Sequence, residues 1–418
     1  MIKVNNGDLI QVHTLKEIYE GIYLPSPETG IFLLKMENGY NIGFNKKEVI
    51  KIKIKKRFKE IKEDVEIPEG KSKKNIAMII LGGTIASRLN PGKGGVDSVE
   101  TPEDLFKYYP ELFDKVNVSK VVSPFQKDSS QFYSKDWQKV TKEIIKFVND
   151  GEISGILVTQ GTDTLHYTSA ALSFFLRDLG KPVVLTYSQR SIDRGSSDAR
   201  LNLTCAAQVC LFDCSGVFVV GHANLNDDFC YAINGTKVRK LHSSRRDAFK
   251  SINEKPLFKI YEDKLEIISS YKKRNKSKCI LDNKFEEKVG LLKFYPGQNP
   301  EILDYYVEKG YKGLVIEAFG LGQIATSGAH LNWTKKLKEV QKKGLVICIT
   351  SQTIFGRVDP MVYITGRELK KTGVIFLEDM HSETAFVKLG WVLGHKDWDV
   401  KEKMLENISG EFNKRIEI

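Results

Sequence analysis

The sequence predicts an α/β protein: a doubly wound parallel-sheet domain and a smaller C-terminal α/β domain, with a small β-barrel-like domain in front. Three observations predict it. From Ile76 onward, short apolar runs alternate with longer stretches of helical period, and runs apolar on both faces belong to parallel strands covered on two sides. Residues 271–288, YKKRNKSKCILDNKFEEK, interrupt that alternation, which resumes near Val289. Before residue 75 brief runs are separated by turn dipeptides instead.

The elements follow in order. In residues 1–50, Leu9-Ile10-Gln11-Val12 and Ile31-Phe32-Leu33-Leu34 are punctuated by Gly7-Asp8, Ser26–Gly30 and Asn38-Gly39-Tyr40, which reads as a curled sheet or small barrel. Residues 51–75 are rich in Lys and Glu and poor in bulky apolar side chains, a solvated connector or an edge strand. The first domain therefore covers 1–74, the second 75–270 and the third 271–418. Within the second, Ile76–Leu81, Ile156–Val158, Val183–Leu185 and Val217–Val220 are strands, each ending in glycine or a small polar group. Leu314–Ile316 and Leu345–Ile349 are strands of the third. One helix is plain: Leu165, Thr168, Leu172, Phe175, Leu176 and Leu179 share a face, and Gly180-Lys181-Pro182 stops it.

At about 100–200 residues per domain, 418 residues allow about two to four domains and a large core. The 64 Lys and Arg exceed the 53 Asp and Glu by 11 charges. That fits a polyanionic partner or a Lys-rich solubilising surface equally well. Lys53, Lys55, Lys56 and Arg57 are the candidates for RNA contact if the first holds. No apolar stretch is long enough for a bilayer, and MIKVNNGDLIQVH has no basic-then-apolar leader, so a cytoplasmic protein without membrane contact is expected. Six cysteines without a CxxC pair read as reduced, buried thiols.

Chemistry is expected where strands end, since open parallel sheets bind ligands beyond their carboxyl edges. Two distant runs end in Gly-Thr: Gly83-Thr84 and Gly161-Thr162-Asp163. Glycine lets the backbone turn and approach a ligand closely, and the threonine brings a hydroxyl. Thr162 and Asp163 are placed in the opening turn of the next helix, whose free N–H groups suit a developing oxyanion. A plain helix cap and a plain turn remain the alternative. Rival chemistries lack their residues. Cys205 reads as a helix interior rather than a nucleophile elbow, Ser196-Ser197-Asp198 as the cap of that helix, and His222 and His242 have no ligand-spaced partners.

The motifs carry a resemblance. Leu81-Gly82-Gly83-Thr84-Ile85-Ala86-Ser87 and Thr159-Gln160-Gly161-Thr162-Asp163-Thr164 resemble the two signature segments of the asparaginase–glutaminase family. Asp128-Ser129-Ser130, Ser188–Asp193, Lys240 with Phe249-Lys250-Ser251, Thr350-Ser351-Gln352 and Tyr363–Glu368 follow collinearly, so the likeness covers roughly 76–395. The extra front domain, with Tyr19–Pro25 and Asn38–Gly43, resembles that of the D-subunit family of archaeal glutamyl-tRNA(Gln) amidotransferases. The resemblance implies that Thr84 attacks the amide of glutamine or asparagine, forming an acyl-enzyme. It implies that Thr162, Asp163 and Lys240 form a second set activating a threonine or the hydrolytic water. Ser129 and Asp163 would grip the α-carboxylate and α-ammonium groups, and Gly83, Gln160 and Gly161 would line the pocket. A carboxylate beside a lysine favours its charged form, so the pair's job is positional. No metal or cofactor is implied for this chain. ATP and Mg²⁺ would belong to a kinase-like, tRNA-binding partner of the E-subunit type, acting on tRNA(Gln), with this chain a homodimer inside a heterotetramer.

One departure stands out. Relatives carry a tyrosine in the loop after the first threonine, and residues 85–107 contain none. The acceptor of the Thr84 proton is left open between Arg88, Lys93 and a residue from elsewhere. Asn90–Gly95 suits a flexible lid, and Glu368 is the nearest match to the acidic group a neighbouring subunit lends in asparaginases. Three functions are therefore weighed: a glutaminase subunit, a free-standing asparaginase, and a catalytically silent RNA-binding scaffold.

Overall fold

The computed structural model describes residues 3–26, 28–59, 74–90, 95–98, 106–107, 109–192 and 194–416. The first domain is an antiparallel sheet of β1 (Leu9–His13), β2 (Ile18–Leu24), β3 (Ile31–Lys35), β4 (Asn41–Asn45) and β5 (Lys51–Lys56), ordered β4-β3-β2-β1-β5. Alternation puts Ile10, Val12, Phe32, Leu34 and Phe44 inside. Of the two readings of 51–75, the described part is an edge strand. Its lysines are exposed while Ile52 and Ile54 are half-buried, and lysines on an edge discourage pairing with other chains.

The second domain opens with β6 (Asn75–Ile80), followed by the hairpin β7 (Ser87–Asn90) and β8 (Gly95–Ser98). The tip of the expected lid, 91–94, lies outside the described residues. Next come β9 (Asn117–Val122), β10 (Ile153–Thr159), β11 (Leu176–Arg177), β12 (Pro182–Thr186) and β13 (Gly216–His222). β9, β6, β10, β12 and β13 lie side by side in that order, all parallel. Ile76, Met78 and Ile80 of β6 pack toward helix Ala199–Leu211, whereas Ala77 and Ile79 pack toward helix Ser134–Val148. That two-sided burial is the physical content of the continuous apolar run.

The sheet is not purely parallel. β14 (Cys230–Asn234) returns antiparallel to β13, and β17 (Phe258–Ile260) and β18 (Leu265–Ile267) extend it. The loop between β13 and β14 is too short for a crossover, so only a hairpin is open to it. Between β14 and β17 in sequence, β15 (Val238–Lys240) and β16 (Phe249–Ser251) form a separate two-stranded ribbon.

Two local expectations are corrected. The helix from Leu165 ends at Phe175 rather than at Leu179. Leu176 and Arg177 leave it to pair with β19 (Ile280–Leu281), and Asp178 takes φ +54°. Periodicity alone cannot see this, because an apolar residue at position 176 suits either arrangement. Asp198 does sit at the N-cap of helix Ala199–Leu211, but it makes no side-chain cap bond. Its carboxylate accepts instead from the N–H groups of Gln189 and Arg190 and from the Ser188 hydroxyl. It thereby fixes the chain leaving β12.

The third domain is a parallel sheet of β20 (Val289–Lys293), β21 (Gly313–Ala318), β22 (Val346–Ser351) and β23 (Ile375–Phe376) in sequential order. Helix Ser382–Leu393 packs against helix Leu165–Phe175 of the second domain, where Phe174 and Trp391 stack with centroids 5.5 Å apart. The two α/β domains thus share an apolar layer. The first domain reaches the second through Tyr40, whose hydroxyl lies 3.3 Å from that of Ser196 and whose ring carries the Arg194 guanidinium.

Candidate active site

β6 and β10 are neighbours, yet the chain moves on to β9 on one side and to β12 on the other. Such a reversal of strand order makes the loops beyond the two carboxyl ends diverge, and ligands bind there. Both Gly-Thr segments are these loops. A cavity of about 540 Å³ opens at the opposite ends of the strands, beside Arg177, Gly216 and Lys272, but none of the expected site residues lines it.

Glycine is required where the loops meet. Gly82 and Gly83 have φ of +97° and +88°. A Cβ on Gly83 would lie 2.5 Å from the Gly161 nitrogen, and one on Gly82 would lie 2.9 Å from the Lys127 carbonyl oxygen. Loops 81–84, 126–129 and 160–163 are therefore in contact. Thr84 begins a single 3-10 turn, Thr84–Ala86, and is half-buried one residue beyond the Gly83–Gly161 contact.

Ser129 is 3% exposed. Its turn is held by Asp128, whose carboxylate accepts from the Ser130 N–H at 2.9 Å and hydroxyl at 2.8 Å. Those bonds keep the Asp128 carboxyl below its ordinary range. The Ser129 hydroxyl accepts from the Asp163 N–H at 3.1 Å, and a Cβ on Gly161 would come within 2.8 Å of it. A hydroxyl that accepts in this way still has its own hydrogen to give. Gln160 is fully buried, bonded through its N–H to the Thr186 carbonyl and through its amide to Thr164. Lys240 ends β15. Its ammonium donates at 2.7 Å to the Thr162 hydroxyl and at 2.7 Å to the Asp163 carboxylate. The lysine side chain is 12% exposed and the aspartate 58%, so the cation approaches from beneath and the anion forms the rim.

The expected placement of Thr162 and Asp163 in a helical turn is corrected. The helix starts at Leu165 with Thr164 as its N-cap, so both residues precede it. The Asp163 N–H is moreover taken up by Ser129 and is not available to an oxyanion.

Other residues fall outside the cluster. Lys93 and the side chain of Arg88 lie outside the described residues. Glu368 accepts from the Ser327 N–H and hydroxyl within the third domain. His222 bonds Asn202 at 2.6 Å and Asp227 at 2.9 Å, and His242 accepts two N–H groups of its own turn. Among the described residues no group of His, Cys, Asp or Glu could hold a metal ion. All six cysteines are free and buried, Cys205 inside helix Ala199–Leu211. Among the described residues no helix is long and apolar enough to cross a membrane.

Sequence reasoning missed two supports. Tyr109 lies two residues past the interval without tyrosine, and its hydroxyl donates to the Ile85 carbonyl at 2.9 Å. Burial pushes its pKa up, so it braces the Thr84 turn and is a poor proton acceptor. Arg239, next to Lys240 in sequence, pairs with Glu383 of the third domain at 2.8 Å. Its neighbour was the only signal.

Comparison with known proteins agrees with this architecture. Residues 75–273 match the family model "Asparaginase, N-terminal" and residues 288–404 the "Glutaminase/Asparaginase C-terminal domain". The structure is similar to the thermostable L-asparaginase from Thermococcus kodakarensis, with a TM-score of 0.71 and 28% identity over 81% of this chain and 99% of that one. It is also similar to L-asparaginase I from Vibrio cholerae, with a TM-score of 0.69 and 25% identity over 82% and 100% of the two chains. The class is thus the two-domain asparaginase fold carrying an added domain. Residues 4–54 match the "GatD N-terminal domain". The glutamyl-tRNA(Gln) amidotransferase D-subunit of Pyrococcus horikoshii is 43% identical over 98% of this chain and 95% of its own. That of Methanococcus maripaludis is 39% identical over 99% of each. The chain belongs to the D-subunit family of glutamyl-tRNA(Gln) amidotransferases.

Proposed function

We propose that the chain is the ammonia-releasing subunit of a tRNA-dependent amidotransferase, acting on glutamine or asparagine. The Thr84 oxygen attacks the side-chain amide carbon, the hydroxyl proton passes to a base and on to the leaving nitrogen, and NH₃ departs. Water then cleaves the threonine ester, giving the dicarboxylic amino acid and free Thr84. Ser129 donates to the substrate α-carboxylate, and Asp163 at the rim attracts the α-ammonium group. Lys240 orients the Thr162 hydroxyl. The ammonia goes to a tRNA-binding, kinase-like partner that activates Glu-tRNA(Gln) with ATP and Mg²⁺, in the cytoplasm.

The observation that carries this reading is the Thr162–Lys240–Asp163 cluster, with both bonds at 2.7 Å, next to the Gly83–Gly161 contact at the strand-order reversal. Pairing of two such chains is supported by exposed apolar side chains at one end of the third domain: Phe355, Met361, Val362, Tyr363 and Ile364 are 44%, 53%, 53%, 55% and 68% exposed.

Ammonia release from glutamine and from asparagine, by the chain alone and with the partner and Glu-tRNA(Gln), is the test. Stimulation by the partner complex is expected, with Lys240→Met folded and slower by at least about 100-fold. Full asparaginase turnover by the lone chain without stimulation refutes the subunit role, and normal turnover of the Lys240 variant refutes the mechanism.

A further inference from the structure

The ribbon β15–β16 that carries Lys240 has three residues in each strand and is not part of the large sheet. Val238 and Phe249 pack one face of it into the core of the second domain. The other face needs a hold of its own, because a lysine on a ribbon free to rock cannot hold a hydroxyl to within tenths of an ångström. Along this segment, Lys237 and Arg239 alternate with Val238 and Lys240, so successive side chains point to opposite faces. Lys240 faces Thr162 and Asp163. Lys237 and Arg239 face the third domain.

Both are ion-paired there. The Lys237 ammonium lies 2.6 Å from the Asp379 carboxylate with neither side chain exposed, and Arg239 lies 2.8 Å from Glu383. The second oxygen of Glu383 is 3.0 Å from Nδ1 of His381. Nε2 of His381 is 3.0 Å from the Thr384 hydroxyl, which donates at 2.9 Å to the Thr236 carbonyl. The chain of contacts thus runs from Arg239 through the third domain and back to the residue before Lys237. The far end of β16 is tied down too: the Asn253 amide bonds the Gly356 and Asp379 carbonyls. Burial alone would raise the Glu383 pKa, but the His381 bond and the Arg239 charge outweigh it and hold it at about 2.

We propose that Arg239 and Glu383 are positioning residues for Lys240, through which the third domain of the same chain sets the geometry of amide cleavage. This rests on the reading above that Lys240 acts in that reaction. A catalytic group displaced by about 1 Å can cost on the order of 100-fold in rate, so the pair acts on turnover rather than on substrate binding.

The experiment is steady-state ammonia release by the full chain with Glu383→Gln, Arg239→Met and Arg239→Lys, each with its melting temperature. The first two are expected to lower kcat by about 10- to 100-fold with KM within about threefold of the parent. Arg239→Lys, which keeps the charge, restores most of kcat. In a Lys240→Met background, adding Glu383→Gln changes the residual rate by less than about twofold, since the residue through which it acts is gone. If Glu383→Gln does not fold, the contrast between Arg239→Met and Arg239→Lys carries the test. Parental kcat in folded Arg239→Met and Glu383→Gln, with Lys240→Met inactive, overturns this proposal and leaves the proposed function standing. Parental turnover of Lys240→Met removes Lys240 from the mechanism and this proposal with it, while the ammonia-releasing function stands.

Discussion

His166 shows how closely single groups beneath the site are balanced. It is 6% exposed, and burial lowers its pKa to about 4 despite the nearby Glu383 carboxylate. The folded protein therefore keeps it neutral at pH values where the unfolded chain takes up a proton. Its favourable contribution is complete above about 6.5 and is lost as pH falls toward 4, on the order of 3 kcal/mol in all. Glu383 acts in the same sense lower down, since its depressed pKa stabilises above 4.5 and ceases to do so as pH falls toward 2. Urea midpoints measured from pH 7 to 4 should fall, and His166→Asn should flatten that decline; an unchanged slope would remove His166 as its source. At this scale Thr84, Thr162 and Asp163 could be picked out as candidates because they follow a glycine at the end of an apolar run. Tyr109 and Glu383 stayed hidden because each acts on a residue close only in space, and Asp198, placed as a helix cap, gave no sign that it holds residues 188–190.

At the scale of elements, the contact of two loops decides whether the site exists. Gly83→Ala must place a methyl group against backbone atoms 2.5 and 2.6 Å away while holding φ at +88°. Neither the Gly161 backbone nor the turn can yield cheaply, so a loss of about 1–3 kcal/mol is expected, with ammonia release falling at least about tenfold. Chemical denaturation and a glutaminase assay read the two effects; a stable and active variant would show that the loops can part without harm. The strands β6, β10, β12 and β13 were legible because each buries both faces. The antiparallel strands β17 and β18 were not, being three residues long each and partly exposed. The helix end at Phe175 was hidden for a different reason: what stops the helix is pairing with Ile280 and Leu281, about a hundred residues downstream.

For the whole molecule, the order of three domains could be read from changes of rhythm, whereas their mutual contacts could not. Tyr40 touching Ser196 and Arg194 depends on a fold already complete. The pairing of two chains proposed above would cover the exposed apolar side chains from Met361 to Ile364. Ile364→Asp puts a charge into that surface, and the proposed pairing predicts that light scattering of the purified chain reports a smaller mass than the parent's with the melting temperature little changed. Retention of the parental mass would exclude this face from self-association.

The six sheltered thiols offer a clock for unfolding. Cys205, Cys210, Cys214, Cys230 and Cys279 sit in or beside the second domain and Cys348 in the third, while the first domain has none. A water-soluble alkylating reagent should leave the native protein almost unmodified and label it only as each region opens. Mass spectrometry of the labelled peptides would then time the loosening of the two α/β domains separately, with opening of the first domain leaving no trace.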